Sequence, residues 1–108
     1  MRPWDIYTWN FPDAGPHPAV ILGTDERIKH KPSLNVLLCS SRRATRPAEL
    51  YEVILDAADG LDWAALCKCD LLYAVPVHQL SQKRGTVGIE RRLEIAARVI
   101  RALGIAGR

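Results

Sequence analysis

The longest strand candidate in the sequence is the stretch AALCKCDLLYAV, residues 64–75. Apolar residues dominate it, and it stops at Pro76, which has no backbone N–H to offer to a sheet. Successive side chains of a strand point to opposite faces, so Lys68 and Asp70 should share one face. The opposite face then holds three side chains: Cys67, Cys69 and Leu71. The stretch therefore predicts a strand with one buried face and with a cation and a carboxylate on the other.

Four shorter segments upstream also favour strands, because β-branched, aromatic and other apolar residues concentrate in them. They are Trp4–Phe11, Ala19–Leu22, Leu34–Cys39 and Tyr51–Leu55. Between them the sequence predicts a stiff, proline-rich loop over residues 12–18, a charged connection over 24–33 and a long exposed loop over 40–49. The pair Asp59-Gly60 is typical of a turn, which would lead into the long strand.

The spacing of apolar residues changes near the end of the chain. After a turn-like segment at Lys83–Gly85, apolar residues recur at steps of four and three. They form one helical stripe, which Gly104 follows as a C-cap: Ile89, Leu93, Ala96, Ile100 and Leu103. This stripe must be buried against the sheet or against a second subunit. The whole pattern predicts a mainly β fold with α, a small, strongly bent antiparallel barrel with a C-terminal amphipathic helix.

Length and composition bound the remaining possibilities. A chain of 108 residues is expected to form one domain, here residues 1–108, and its 48% hydrophobic and 25% charged residues exclude a disordered chain. Its longest apolar runs, such as Leu71–Val77, are too short to cross a membrane, so no membrane partner is expected. The N-terminus lacks the apolar core of a signal peptide, and an odd count of three cysteines is a poor disulfide framework. Both features predict a cytoplasmic protein.

The charge pattern permits a nucleic-acid partner without establishing one. The net charge is +3 and the sequence pI is about 9.0. Several cations lie near the exit of the third predicted strand, where Ser40 and Ser41 precede Arg42, Arg43 and Arg46. Hydroxyls and guanidiniums at a strand exit suit phosphate, although arginine runs are also common in solvated loops. We interpret these five residues as a candidate phosphate-binding set for a nucleic acid, and the family resemblance described below implies that this nucleic acid is RNA.

Lys68, Asp70 and His17 are the candidate catalytic residues. A cation and a carboxylate on one strand face could divide charge stabilisation from proton abstraction, which phosphodiester chemistry needs. An ordinary exposed ion pair is the alternative for the two strand residues. His17 lies between two prolines, where a stiff backbone would hold an imidazole able to orient a phosphate or donate a proton. Packing by these prolines is the plain alternative for the histidine.

The cysteines raise the question of zinc. Cys67 and Cys69 would point to the same side of a strand, with Cys39 elsewhere in the sheet. No second cysteine pair follows at the spacing of a zinc finger, and free cysteines are among the most buried residues. We therefore expect core thiols, no metal site and no cofactor.

Taken in order, the predicted elements resemble the MazF/PemK toxins of bacterial type II toxin-antitoxin systems. Trp4-Asp5-Ile6-Tyr7 resembles the opening Gly-Asp-Ile-Trp strand of that family. Residues 15–22, GPHPAVIL, are similar to its Arg-Pro-x-Val-Ile segment, and Leu38-Cys39-Ser40-Ser41 to its Pro-x-Thr-Ser strand end. Residues 66–71, LCKCDL, resemble its Val-x-Arg-Cys-Asp-Gln strand. Nearly the whole chain takes part in this resemblance.

The resemblance implies an SH3-like barrel, a homodimer, and cleavage of single-stranded RNA without a metal or other cofactor. In that reaction the 2′-hydroxyl attacks the phosphate and a cyclic phosphate forms, and an antitoxin protein neutralises the enzyme. Asp70 matches a family carboxylate assigned as the general base. Lys68 stands where PemK-type members have an arginine that acts as an acid and stabilises the phosphate.

Two departures from the family pattern motivate an alternative function. The loop before the second strand is shorter and lacks a Glu-Gln pair, and His17 takes the place of an arginine. Lysine at position 68 also lacks the planar fork of arginine that suits phosphate. The alternative is a non-catalytic SH3-like module that binds nucleic acid or protein and has lost the active site.

Overall fold

The computed structural model describes residues 1–41 and 46–105. Within these residues, six strands form one sheet in which every neighbouring pair is antiparallel. They are β1 (Asp5–Phe11), β2 (Gly15–Leu22), β3 (Ser33–Ser41), β4 (Glu52–Leu55), β5 (Ala65–Pro76) and β6 (Ser81–Thr86), in the spatial order β4-β5-β3-β2-β1-β6. Two α-helices complete the fold, α1 (Asp25–His30) and α2 (Ile89–Leu103). The prediction of a mainly β, bent antiparallel sheet with a C-terminal helix is confirmed.

Several connections differ from the sequence prediction. The predicted loop over residues 12–18 is wrong from Gly15 onward, because β2 begins there and pairs with β1. Prolines are tolerated in this part of β2 because β3 pairs only with its second half, from Ala19, so one edge of the first half is free of ladder bonds. The charged connection contains α1, whose first turn is capped by Thr24. Lys83–Gly85 is part of β6 instead of a turn.

The two faces of the curled sheet carry two separate clusters of buried side chains. The first cluster lies between the sheet and α2 and includes Ile6, Leu37, Cys67 and Ile95. The second lies on the opposite face and is built around Trp9, Phe11, Leu34 and Val75. Because β-strand side chains alternate, β1, β2, β3 and β5 each contribute to both clusters. A residue's position in this alternation therefore determines which face it reaches.

The turn after β4 closes the curled sheet against β6. A Cβ placed on Gly85 of β6 would lie 2.0 Å from the carbonyl oxygen of Asp59 and 3.1 Å from Cα of Gly60. Only a glycine permits this approach of two backbones. The buried Asp59 carboxylate accepts hydrogen bonds from the backbone N–H of Asp56 at 2.9 Å and of Gly88 at 2.8 Å. The same turn thus joins the sheet edge to the start of α2.

The apolar stripe of α2 is not buried against the sheet. Ile89 and Leu93 are 74% and 75% exposed, and Ile100 and Leu103 are also exposed. The buried side of the helix instead holds Ile95, roughly a third of a turn away. Arg91 fixes this rotation, because its guanidinium forms ion pairs with Asp56 and Asp59 in the closing turn. The sequence predicted that either the sheet or a second subunit covers the stripe, and the structure shows that the sheet does not.

Within the described residues, no helix is long and apolar enough to span a membrane.

Candidate active site

An irregularity in the sheet brings Lys68 and Asp70 to the surface. Leu37 pairs with Leu72 and Cys39 pairs with Cys67, so residues 68–71 of β5 lie opposite Leu38 alone. Such a bulge bends a strand and redirects its side chains. Leu71 is consequently exposed beside Asp70, which corrects the prediction that it points to the face of the cysteines.

Lys68, Asp70 and Leu71 line one side of a cleft of about 200 Å³. The other side is formed by residues 49–52, where the chain enters β4. Asp70 is exposed, and no hydrogen bond or ion pair to another described residue occupies its carboxylate. The cleft therefore presents an accessible carboxylate next to a partly exposed lysine, as the strand alternation predicted.

The ionic partner of Lys68 is Glu52 on the neighbouring strand. Glu52 and Lys68 are directly opposite in the β4–β5 register, and the Lys68 ammonium forms a short ion pair with Oε2 of Glu52. Glu52 is only 4% exposed, whereas about a quarter of the Lys68 side chain is exposed. Cross-strand charge pairs of this kind fix the relative positions of two side chains. Among the described residues, Lys68 makes no ion pair with Asp70.

Arg46 completes the surroundings of Glu52. Its Nη2 lies 2.9 Å from Oε2 of Glu52, and the backbone N–H of Glu49 donates to Oε1 at 2.9 Å. The hydrogen bond from Arg46, together with that from Lys68, lowers the pKa of Glu52 to about 2 despite its burial. Glu52 is therefore a buried, ionised carboxylate that holds two cations at the cleft.

The low pKa of Glu52 predicts a loss of stability in acid. A carboxylate whose pKa is lower in the folded protein contributes stability above its unfolded value of 4.5, and this contribution is lost as pH falls toward about 2. We expect parent and Glu52→Gln to differ in free energy of unfolding by a few kcal/mol near neutral pH. Urea denaturation should show this difference shrinking between about pH 6 and about pH 3. A difference that stays constant with pH would contradict the assignment.

His17 lies on the same face of the sheet as Lys68 but does not contact it. The His17 ring packs edge-on near Phe11, with centroids 6.5 Å apart, and its Nδ1 lies 3.2 Å from the carbonyl oxygen of Gly15. Lys68 alternates with Cys67 and Cys69 of the opposite cluster, so it also projects toward the face of Phe11. Strand β3 separates the two residues, which places their backbones at least about 10 Å apart.

The described members of the predicted RNA-binding set, Ser40, Ser41 and Arg46, do not form one group. Ser40 and Ser41 belong to the end of β3, where they pair with Leu66 and Ala65, so the predicted loop begins later than expected. Their side chains point to opposite faces, and only Ser40 shares the face of Lys68. Arg46 is paired with the buried Glu52. Arg42 and Arg43 lie outside the described residues.

Sequence reasoning missed Glu52. The signal was a single charged residue inside the otherwise apolar strand Tyr51–Leu55, where burial demands a partner of opposite charge. The partner is 16 positions away in the chain and is set by the β4–β5 register. Charge and alternation indicate that a partner is needed, but they do not identify Lys68.

The three cysteines are buried core thiols, as expected. Cys39 and Cys67 are opposite each other in the β3–β5 register. Contacts with the Cys39 and Cys69 sulfur groups, and burial, raise the pKa of Cys67, so its thiol stays neutral. No group of three or more His, Cys, Asp or Glu side chains within residues 1–41 and 46–105 is arranged to hold a metal ion.

A curled antiparallel sheet with one long C-terminal helix is a fold shared with solved toxins. The structure is similar to an endoribonuclease in complex with its cognate antitoxin from a mycobacterial species, with a TM-score of 0.80 and 18% identity over 100% of this chain and 99% of that chain. It is similar to the Mycobacterium tuberculosis toxin MazF-mt6, with a TM-score of 0.79 and 21% identity over 93% and 96% of the two chains. It also matches a MazE-MazF crystal structure from Deinococcus radiodurans, with a TM-score of 0.76 and 17% identity over 98% and 97%.

Comparison of the sequence with a family profile identifies the family to which the chain belongs. A search of curated proteins finds no significant match. The profile of the PemK-like, MazF-like toxins of type II toxin-antitoxin systems, however, matches residues 2–103. The chain belongs to this family, which confirms the resemblance carried by its ordered motifs.

Proposed function

We propose that this protein is a toxin that cleaves single-stranded RNA without a metal ion and is neutralised by a cognate antitoxin. The observation that carries the proposal is the cleft in which Asp70, with an exposed carboxylate, lies beside a lysine held by a buried glutamate. Family membership supports the same function. One of the similar structures is an endoribonuclease with its antitoxin.

In the proposed reaction, Asp70 takes the proton of the RNA 2′-hydroxyl as the 2′-oxygen attacks the adjacent phosphorus. The bond from phosphorus to the 5′-oxygen breaks, which leaves a 2′,3′-cyclic phosphate on one product and a 5′-hydroxyl on the other. Lys68 offsets the negative charge that develops on the phosphate oxygens. Asp70 and Lys68 thus supply the base and the charge stabilisation, and the leaving 5′-oxygen also needs a proton donor.

His17 is the proposed proton donor to the leaving 5′-oxygen. In-line displacement places the entering and leaving oxygens on opposite sides of the phosphorus, so base and acid must approach from two directions. His17 on β2 and Asp70 on β5 satisfy this requirement, because β3 lies between their strands. Ser40, on the intervening strand, can donate a hydrogen bond to the phosphate from the same face.

The alternative function, a non-catalytic SH3-like binding module, finds no support in the comparisons. The decisive experiment is incubation of the purified protein with a long single-stranded RNA in the presence of a chelator. We expect cleavage products that carry a 2′,3′-cyclic phosphate. Absence of cleavage over a broad range of RNA sequences would leave the binding module as the better account.

We also place the protein in the cytoplasm, where RNA is available and its free thiols stay reduced.

We further propose a homodimer whose interface includes the exposed stripe of α2. Burial of one Leu or Ile side chain contributes roughly 1.5–3 kcal/mol, and the stripe leaves several uncovered in the single chain. Leu93→Glu should therefore convert a dimer into a monomer at micromolar concentration, as measured by light scattering. Arg101→Glu, an exposed position beside the stripe, is the matched control and should remain dimeric. A monomeric parent protein would contradict the proposal.

A further inference from the structure

We propose that Glu52 is a positioning residue that fixes the Lys68 ammonium at the cleft for contact with the scissile phosphate. The inference rests on the proposed ribonuclease function and adds a residue to it. Its basis is the buried cross-strand ion pair between β4 and β5.

Glu52 acts through another residue because both of its oxygens are already occupied. Oε1 accepts the backbone N–H of Glu49, and Oε2 accepts hydrogen bonds from Arg46 and Lys68. Only 4% of the residue is exposed, so an RNA hydroxyl cannot reach it. This contrasts with the accessible Asp70 carboxylate in the same cleft. The two carboxylates are therefore suited to different tasks.

A lysine needs such a partner because its side chain is long and flexible. A free ammonium would spend most of its time in solvent, away from the phosphate. The ion pair with the Glu52 carboxylate holds the Lys68 ammonium at the wall of the cleft. Part of the Lys68 side chain remains exposed to a ligand. Arg46 also lies 3.5 Å from Glu49, so the cation left for a phosphate oxygen is the Lys68 ammonium, whose side chain stays partly exposed.

Removal of the carboxylate should change the position of Lys68 without removing its charge. In Glu52→Gln the amide oxygen can still accept the Glu49 N–H, so the local backbone contact is retained. Lys68 then loses the carboxylate that holds it, and the nearby Arg46 guanidinium repels it. Lys68 is expected to swing outward.

The test is a double-mutant cycle on RNA cleavage. We expect Glu52→Gln to lower kcat by about 10- to 100-fold and to change KM by less than about threefold. In a Lys68→Ala background the same substitution should have no further effect on kcat, because the residue through which it acts is gone. Glu26→Gln is the control, since Glu26 is an exposed glutamate on α1 and does not line the cleft. It should retain the parent kcat.

Three outcomes would overturn the proposal. An unchanged kcat in Glu52→Gln would remove the role, and an equal loss in both backgrounds would show that Glu52 acts independently of Lys68. Thermal unfolding monitors folding of each variant; if Glu52→Gln does not fold, Glu52→Asp replaces it in the cycle and should lose less of kcat. Hydrogen exchange of the Lys68 ammonium by NMR, which needs no catalysis, should accelerate in the variant. An unchanged exchange rate of the Lys68 ammonium is the third contrary result. A parent protein that cuts no RNA would refute the ribonuclease function alone, because the exchange measurement needs no catalysis.

Discussion

Asp70→Asn is expected to lower RNA cleavage by about 10² to 10⁴ while folding and RNA binding stay near those of the parent protein. The amide has nearly the same shape as the carboxylate but cannot take the proton of the 2′-hydroxyl. Asp70 is exposed in the cleft and makes no hydrogen bond or ion pair with another described residue, so its replacement removes no structural contact. The loss should therefore appear in kcat.

Cleavage and binding must be measured on the same preparation. Single-turnover cleavage of a long RNA gives the rate, and binding of an RNA that carries a 2′-methoxy group at the cut site gives the affinity. Asp62→Asn, an exposed carboxylate just before β5, is the matched control and should cut at the parent rate. If Asp70→Asn cuts as fast as the parent, Asp70 is not the general base.

Gly85→Ala is expected to destabilise the fold by about 3 to 5 kcal/mol. The added Cβ would lie 2.0 Å from the carbonyl oxygen of Asp59, and both partners belong to backbone that cannot rotate away. Relief of this clash requires the turn after β4 to separate from β6. That movement would also disturb the hydrogen bond from Gly88 and the ion pair with Arg91, both made by Asp59.

Urea denaturation measures this effect as a fall in the midpoint at constant slope. Gly88→Ala is the matched control, because its added Cβ would meet only a side-chain oxygen of Asp59 at 3.4 Å, an ordinary contact. This variant should lose far less stability. An unfolding midpoint of Gly85→Ala equal to that of the parent would show that the sheet is not closed at this point.

Alternation and helical spacing were sufficient to predict the elements that carry the candidate site. The long strand over residues 64–75 corresponds to β5, and the helix predicted from Ile89 to Leu103 has the same bounds in the structure. Lys68 and Asp70 share a cleft because side chains two apart in a strand share a face. These features depend only on neighbours in the chain, so the sequence alone contains them.

The face of α2 that is buried could not be predicted from spacing. The helix carries a second apolar line, which includes Ile95 and Val99, at the same helical period as the exposed stripe. Period alone cannot choose between the two lines. The ion pairs of Arg91 with Asp56 and Asp59 make the choice, and they join residues more than thirty positions apart.

The sequence by itself determined the antiparallel strands, the terminal helix, the core thiols and the pairing of a cation and a carboxylate on one strand face. Only the tertiary structure decided that Lys68 is held by Glu52, that Leu71 turns outward at a bulge, and that the predicted α2 stripe stays exposed. The physical reason is that periodicity is a local property of the chain. Strand register and helix rotation are instead set by contacts between segments that are distant in the chain. These contacts form only in the folded sheet, so their free energies cannot be compared from local sequence patterns.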